Sequence, residues 1–253
     1  MEFPPDFQYS TYPAATPLAY RQDGKGIARP GILFLPGFFS NMTGTKASFL
    51  AEKAVKDKRV LTRFDYRGHG FSEGRFNEGA IGDWLQDAIT ILDNVAKGPQ
   101  IIVGSSMGGW IMLLLALARP ERIAGLVGIA AAPDFTEELV WKQLTPAQQM
   151  EMREKGVIYE PTEYDIEPVP YTWRLVEEGR KHLLLNGPIN IKAPVRLIQG
   201  MQDKDVPWEW ALRTGEKLAS NDVRITLLKE GDHRLSRPED LELLWREIES
   251  INA

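Results

Sequence analysis

The stretch "PQIIVGSSMGGWIMLLLALARP" (99–120) leaves a chain little choice of architecture. A short aliphatic run meets an elbow of small residues, which opens into an unbroken apolar run from Trp110 to Ala118, closed by Arg119. A strand without polar alternation is covered on both faces. A helix without a polar stripe is buried on all sides. Both elements are therefore interior, and the turn between them is too tight for large side chains. The apolar run is far short of the roughly 20 residues that cross a bilayer, so it is the central helix of a folded domain.

The same alternation continues along the 253-residue chain. Further β-type runs are "GILFLP" (31–36), "RVLTRFDY" (59–66), "QIIVG" (100–104), "IAGLVGIAA" (123–131), "VRLIQG" (195–200) and "VRITLLK" (223–229). Helical patterns separate them: Ala47–Lys56, Asp83–Ala96, Met107–Ala118, Trp208–Ala219 and Pro238–Ile251. Strands alternating with helices predict an α/β protein with a mainly parallel, doubly wound sheet. Ahead of it, "FQYS" and "LAYRQ" predict an antiparallel pair.

The rhythm breaks from Pro133 to Pro188. That region holds no convincing core strand but carries Trp141, Met150, Met152, Tyr159, Tyr164, Tyr171 and Trp173. An insertion after the sixth strand stands over the C-terminal edge of a parallel sheet, where such sheets bind ligands. The expected division is a core of residues 1–132 and 189–253, with a helical cap at 133–188. Its aromatic and methionine side chains would offer an adaptable apolar pocket. Among the cap cations, Lys142, Arg174 and Arg180 are candidates to meet an anionic group.

The elbow carries the chemistry. A serine hydroxyl attacks an acyl carbon only if a base takes its proton and the side chain is accessible. A strand–turn–helix elbow pushes the side chain out at the top of the sheet, and small flanking residues make room. Gly104 and Gly108 bracket Ser106 in the pattern G-x-S-x-G, with strand before and helix after. A base and an orienting acid should follow in the chain order acid, then histidine. "LIQGMQDKDVP" delivers Asp203 after one strand, and "LLKEGDHRL" delivers His233 after the next. Asp205 and Asp232 are rivals for the acid. His69, in the glycine-rich "DYRGHGFS", and His182, at the far end of the cap, are expected to be structural or surface groups.

Attack on a carbonyl makes an oxyanion that needs donors already in place. The backbone amide of Met107, directly after the serine, is one. The second is expected from "LFLPGFFSNMTGTK", where Pro36 has no N–H and the amide of Phe38 follows the turn.

Composition narrows the alternatives. A net charge of −5, with acidic residues dispersed, gives no basic footprint for nucleic acid. The absence of cysteine excludes disulfides, thiolate metal sites and a cysteine nucleophile, and three histidines make a zinc centre a poor expectation. No cofactor or metal is expected. The start, "MEFPPDFQYS", has neither the basic-then-apolar form of a signal peptide nor the character of a transit peptide. A cytoplasmic location without stable membrane insertion is therefore expected. Nothing in the sequence sets an oligomeric state.

The chain resembles the α/β-hydrolase superfamily through "LPGF", "DYRGHGFS", "GSSMGG", "GMQDKDVP" and "GDHR", in that order. More narrowly it is similar to the abhydrolase-type group of palmitoyl-protein thioesterases and acyl-glucuronide esterases. "GTKA", "GPQIIVGSSMGGWIMLLLALARPE", "KGVIYEP" and "GMQDKDVPW" carry that closer likeness, which covers most of the chain. Many superfamily members have His-Gly where this chain has Pro36-Gly37. The resemblance implies a serine hydrolase acting on an ester or thioester of a small molecule or an acylated protein. A C–C bond hydrolase using the same three residues, and a non-catalytic small-ligand receptor on the same fold, are the competing readings.

Overall fold

The computed structural model describes residues 7–10, 16–26, 29–162 and 168–251. In chain order its first elements are β1 (Gln8–Ser10), β2 (Leu18–Asp23), β3 (Gly31–Leu35), α1 (Thr45–Lys56), β4 (Leu61–Phe64) and α2 (Ile81–Asn94). Next come β5 (Gln100–Ser105), α3 (Met107–Ala118) and β6 (Ile123–Ile129). A segment of different character follows, containing α4 (Pro146–Lys155), β7 (Val157–Glu160), β8 (Val169–Thr172) and α5 (Trp173–Gly179). The chain then completes the sheet with β9 (Val195–Gly200), α6 (Glu209–Lys217), β10 (Val223–Leu228) and α7 (Pro238–Glu249).

Eight strands form one sheet in the order β1-β2-β4-β3-β5-β6-β9-β10. All neighbours from β4 to β10 are parallel, while β1–β2 and β2–β4 are antiparallel. Side chains alternate across this sheet, and both faces are covered. Ile32, Phe34, Ile101, Val103, Val127 and Ile129 pack toward α1 and α7. Leu33, Leu35, Ile102 and Leu126 pack toward α2 and α3. Two covered faces are why the strands read as continuous apolar runs. Trp110, Ile111, Met112, Leu113 and Leu115 of α3 are fully buried. Each such side chain contributes roughly 1.5–3 kcal/mol of burial.

Most element ends differ from the sequence reading by one or two residues. The start of α2 has a specific cause: the Asp83 carboxylate accepts the Ala80 amide at 3.1 Å. That places Asp83 in the third position of the helix rather than at its start.

Between β6 and β9, no strand among the described residues joins the main sheet. A π-helical turn at Thr136–Val140 leads into a 3₁₀ turn at Trp141–Gln143 and then α4, while β7 and β8 pair only with each other, antiparallel. The segment is tied at its neck. Asp134 sits in left-handed backbone with φ 62°, and its carboxylate accepts the amides of Leu184 and Leu185, both at 2.8 Å. Nearby, Trp110 donates its indole N–H to the His182 carbonyl and Trp210 to that of Pro133. These bonds fasten both ends of the segment to core helices.

Candidate active site

Because β3, β5, β6, β9 and β10 run parallel, the loops after them open on one edge of the sheet. The loop after β5 is a single residue. Ser106 has φ 53° and ψ −119°, a conformation that a residue with a Cβ adopts at a cost of about 1–3 kcal/mol. Its backbone is held firmly: the amide donates to the Ile129 carbonyl, and the carbonyl accepts the amides of Gly109 and Ala132. A Cβ at Gly104 would fall on the Gly108 carbonyl, and one at Gly108 on the carbonyls of Leu35 and Pro36. The glycines are thus where chain meets chain around the elbow. Met107 opens α3, so its amide has no acceptor within the helix.

His233 lies with Nε2 3.1 Å from Ser106 Oγ and Nδ1 2.8 Å from Asp203 Oδ2. A carboxylate accepts only, so Nδ1 carries the ring proton and Nε2 is left to accept from the serine hydroxyl. The Asp203 side chain is completely enclosed. Its Oδ1 accepts the amides of Asp205 and Val206 at 2.9 and 2.8 Å. Its Oδ2 accepts Gln199 Nε2 as well as the imidazole. The structure therefore brings together the serine, histidine and aspartate singled out in the sequence.

Neither rival carboxylate takes the imidazole N–H. Asp205 is exposed and engages Asp203 through its backbone amide. Asp232 accepts the Leu235 amide within its own turn. His69 is enclosed by Tyr66, Phe76 and Trp84, and burial pulls its imidazole down to about 4. The His182 imidazole pairs with Glu178 at 2.7 Å. Both histidines are built into the framework.

Asp203, Asp205 and His233 offer ligand atoms within 4.8 Å of one another, the spacing of a cation site. Asp203, however, already receives four donors, and the imidazole is directed at Ser106 and Asp203. The arrangement is a proton path rather than an open coordination shell.

A cavity of about 730 Å³ opens at Ser106, within the size range of small-ligand sites. Its apolar wall is made by Phe38, Phe135, Leu139, Val140, Tyr171 and Val206, while Lys46, Lys204, Asp205 and Arg234 are also at its surface. The Phe38 ring is wedged among Phe76, Trp84, Phe135 and Tyr171, and its residue borders the cavity together with Gly37 and Ser106. Gly37 passes close enough to Ser106 that an added Cβ would lie 3.3 Å from the serine Cβ.

Of the aromatic and methionine residues read as pocket formers, Tyr171 lines this cavity. Trp141 and Trp173 pack on each other, Met152 is core, and Met150 and Tyr159 are exposed. Tyr164 lies outside the described residues. The three cations read as candidates for an anionic group turn to protein partners instead of the cavity: Lys142 to Glu138, Arg174 to Asp83, Arg180 to Glu137.

Two site residues were missed in the sequence. Gln199 had a signal, as a polar side chain in the otherwise apolar end of "VRLIQG". Lys46 had none, since a lysine in a first helical turn reads as surface. It donates instead to the Arg234 carbonyl, and burial pushes its ammonium down to about 8.

The family model described as "Serine aminopeptidase, S33" matches residues 28–161. The mitochondrial palmitoyl-protein thioesterase ABHD10 of Mus musculus is 42% identical over 238 residues, covering 92% of this chain and 78% of the relative. The Homo sapiens counterpart is 40% identical over 236 residues, covering 92% and 76%. Among solved structures, mouse α/β hydrolase domain-containing protein 10 superimposes with a TM-score of 0.88 at 39% identity, over 96% of this chain and 97% of that one. A protein described as a hydrolase from Agrobacterium vitis S4 reaches 0.92 at 38% identity, over 97% and 98%. The relatives from mouse and human are named as mitochondrial, which overturns the cytoplasmic expectation. Lack of cysteine argues against a disulfide framework but does not separate one reducing compartment from another.

Proposed function

Since the chain belongs to the α/β-hydrolase family, in the group of the ABHD10 palmitoyl-protein thioesterases, we propose that it hydrolyses thioesters and esters of apolar acyl groups through an acyl-enzyme on Ser106. The observation that carries this reading is the unbroken hydrogen-bond chain from Ser106 through His233 to Asp203, set on a strained elbow.

In this mechanism His233 Nε2 takes the hydroxyl proton as Ser106 Oγ attacks the acyl carbon. The imidazolium that forms is stabilised by Asp203 through Nδ1–H. The carbonyl oxygen becomes an oxyanion, held by the backbone amides of Met107 and Phe38. His233 returns the proton to the departing thiolate or alkoxide. Water, deprotonated by the same nitrogen, then attacks the acyl-enzyme and frees the acid and the serine. Every proton is accounted for by one imidazole, so no step calls on a metal or organic cofactor.

Residues 133–188 act as a cap over a core of residues 1–132 and 189–253. Phe135, Leu139, Val140 and Tyr171 of the cap supply the wall for the apolar acyl group. Substrates are acylated proteins, as the relatives' name suggests, or acylated small molecules that fit the same cavity. No helix among the described residues is long and apolar enough to cross a membrane.

Graded p-nitrophenyl esters and acyl thioesters, assayed with the wild type and Ser106→Ala, test the reading. The variant should fold normally and lose at least about 10⁴-fold in kcat. It should also cease to react with a fluorophosphonate. Full retention of activity would show that the nucleophile lies elsewhere. A wild type that cleaves a dienoate ring-fission product and ignores esters would move the assignment to C–C hydrolysis.

A further inference from the structure

Tyr171 reaches the cavity from β8 of the cap, and two contacts define where its ring can be. The ring stacks on that of Phe38, centroids 5.3 Å apart and planes 12° apart. Phe38 is in turn held edge-on by Phe76 and Trp84. A ring pinned this way cannot swing away from the cavity wall without breaking the stack. Tyr171 is partly exposed where it borders the cavity, and no protein group among the described residues hydrogen-bonds its hydroxyl. At a cavity wall, a bound ligand that offers an acceptor takes the place of the water such a donor otherwise meets.

The chemistry of the missing partner follows by elimination, given Ser106 as the nucleophile. Burial pushes the Tyr171 phenol up to about 12, so it is a donor throughout the working pH range. The acyl carbonyl oxygen is claimed by the amides of Met107 and Phe38. An apolar acyl chain offers no other acceptor, which leaves the alcohol or thiol portion of the substrate. Asp205 and Glu160 are the charged groups whose fields reach the phenol, and both are carboxylates at the cavity surface. Their field disfavours an anionic acceptor beside it.

We propose that the Tyr171 hydroxyl contacts substrate directly, donating a hydrogen bond to a neutral oxygen in the leaving group, such as an amide carbonyl. Tyr171 thus selects leaving groups that carry a neutral acceptor over purely hydrocarbon ones. A site built to hydrogen-bond a substrate atom discriminates sharply against analogues that lack it.

Two thioesters of one acyl chain separate this role from a framework role: S-octanoyl-N-acetylcysteamine, with an amide in its leaving group, and S-octanoylpropanethiol, without one. The measured quantity is the ratio of their kcat/KM values, in the wild type and in Tyr171→Phe, which keeps the stacked ring. The ratio should fall about three- to tenfold in the variant, the effect of one neutral hydrogen bond. A ratio unchanged within twofold overturns the proposal, even if the variant is slower on both substrates. Fluorophosphonate labelling runs alongside. Labelling of both proteins with an unchanged ratio removes only the Tyr171 role, whereas an unlabelled wild type removes the Ser106 reading and this proposal with it.

Discussion

Gln199 donates its side-chain amide, at 2.8 Å, to the same Asp203 oxygen that receives the His233 ring N–H. The amide's orientation is fixed, because its nitrogen also donates to the Val206 carbonyl at 3.0 Å. Flipping it would set oxygen against oxygen at both contacts. The side chain is buried, and its own oxygen is left without a partner, a cost accepted to keep two donors facing the acid loop.

The expected outcome for Gln199→Leu follows from this geometry. With one donor gone, Asp203 is held by three groups instead of four and the loop that carries it loosens, so kcat should drop about five- to fiftyfold. Gln199→Glu, which sets a second carboxylate against Asp203, should be worse. A Gln199→Leu kcat equal to that of the wild type would show that Gln199 is only packing.

Legibility in the sequence tracked how locally each feature is determined. β5 and α3 were readable because burial on every side leaves an unbroken apolar record, and α3 was bounded to the residue. Ser106, Asp203 and His233 could be singled out because each follows a parallel strand. The β7–β8 hairpin was not readable: its four-residue strands pair only with each other, and one contains Pro170. Exposed charges were equally opaque. Nothing local distinguishes Arg180, committed to Glu137 and two indoles, from a cation facing substrate.

The elbow glycines predict a graded stability series. A Cβ at Gly108 would press on the backbone carbonyls of Leu35 and Pro36, the latter at 2.6 Å, where the chain enters the Phe38 loop. Backbone cannot yield as a side chain does, so Gly108→Ala should cost about 3 kcal/mol or more and displace the amides of Phe38 and Met107. Gly187 has open space around an added methyl and ordinary φ. Gly187→Ala should stay within about 0.5 kcal/mol of wild type. Urea unfolding of the two variants checks the contrast, and a fully stable Gly108→Ala would contradict the packing described.

The segment between β6 and β9 carries its own brace. Arg180 and Arg153 each hold a guanidinium carbon 5.0–5.3 Å from the rings of both Trp141 and Trp173, and Arg180 also bonds Glu137 in the π-helical turn. That turn contributes Leu139 and Val140 to the cavity wall. Arg180→Leu should loosen the wall by an amount worth about 1 kcal/mol, seen as a severalfold rise in KM with kcat less affected. Limited proteolysis should cut first between residues 133 and 188. Unchanged KM and cleavage pattern would show the brace to be dispensable.

Two buried groups in neighbouring positions titrate in opposite senses, and stability should report both. Burial pushes Asp65 up to about 6, although its carboxylate accepts the amides of Met42 and Phe71. Folding raises this value, so its contribution is fully present below 3.8 and is lost as pH rises through 6. Burial pulls His69 down to about 4, so its contribution is present above 6.5 and is lost as pH falls through 4. Each is worth on the order of 3 kcal/mol over its window, and across pH 4–6 the two largely offset one another. Removing one should expose the other. Relative to wild type, His69→Gln should gain stability steadily on acidification from pH 6.5 to 4, whereas Asp65→Asn should lose it more steeply. Asp87 and Asp134, also raised by burial, are common to all three proteins and cancel in the comparison. Urea midpoints at four pH values between 4 and 7.5 provide the measurement. Parallel curves for wild type and His69→Gln would mean that the imidazole is protonated in the folded protein and that its burial among Tyr66, Phe76 and Trp84 is not maintained in solution.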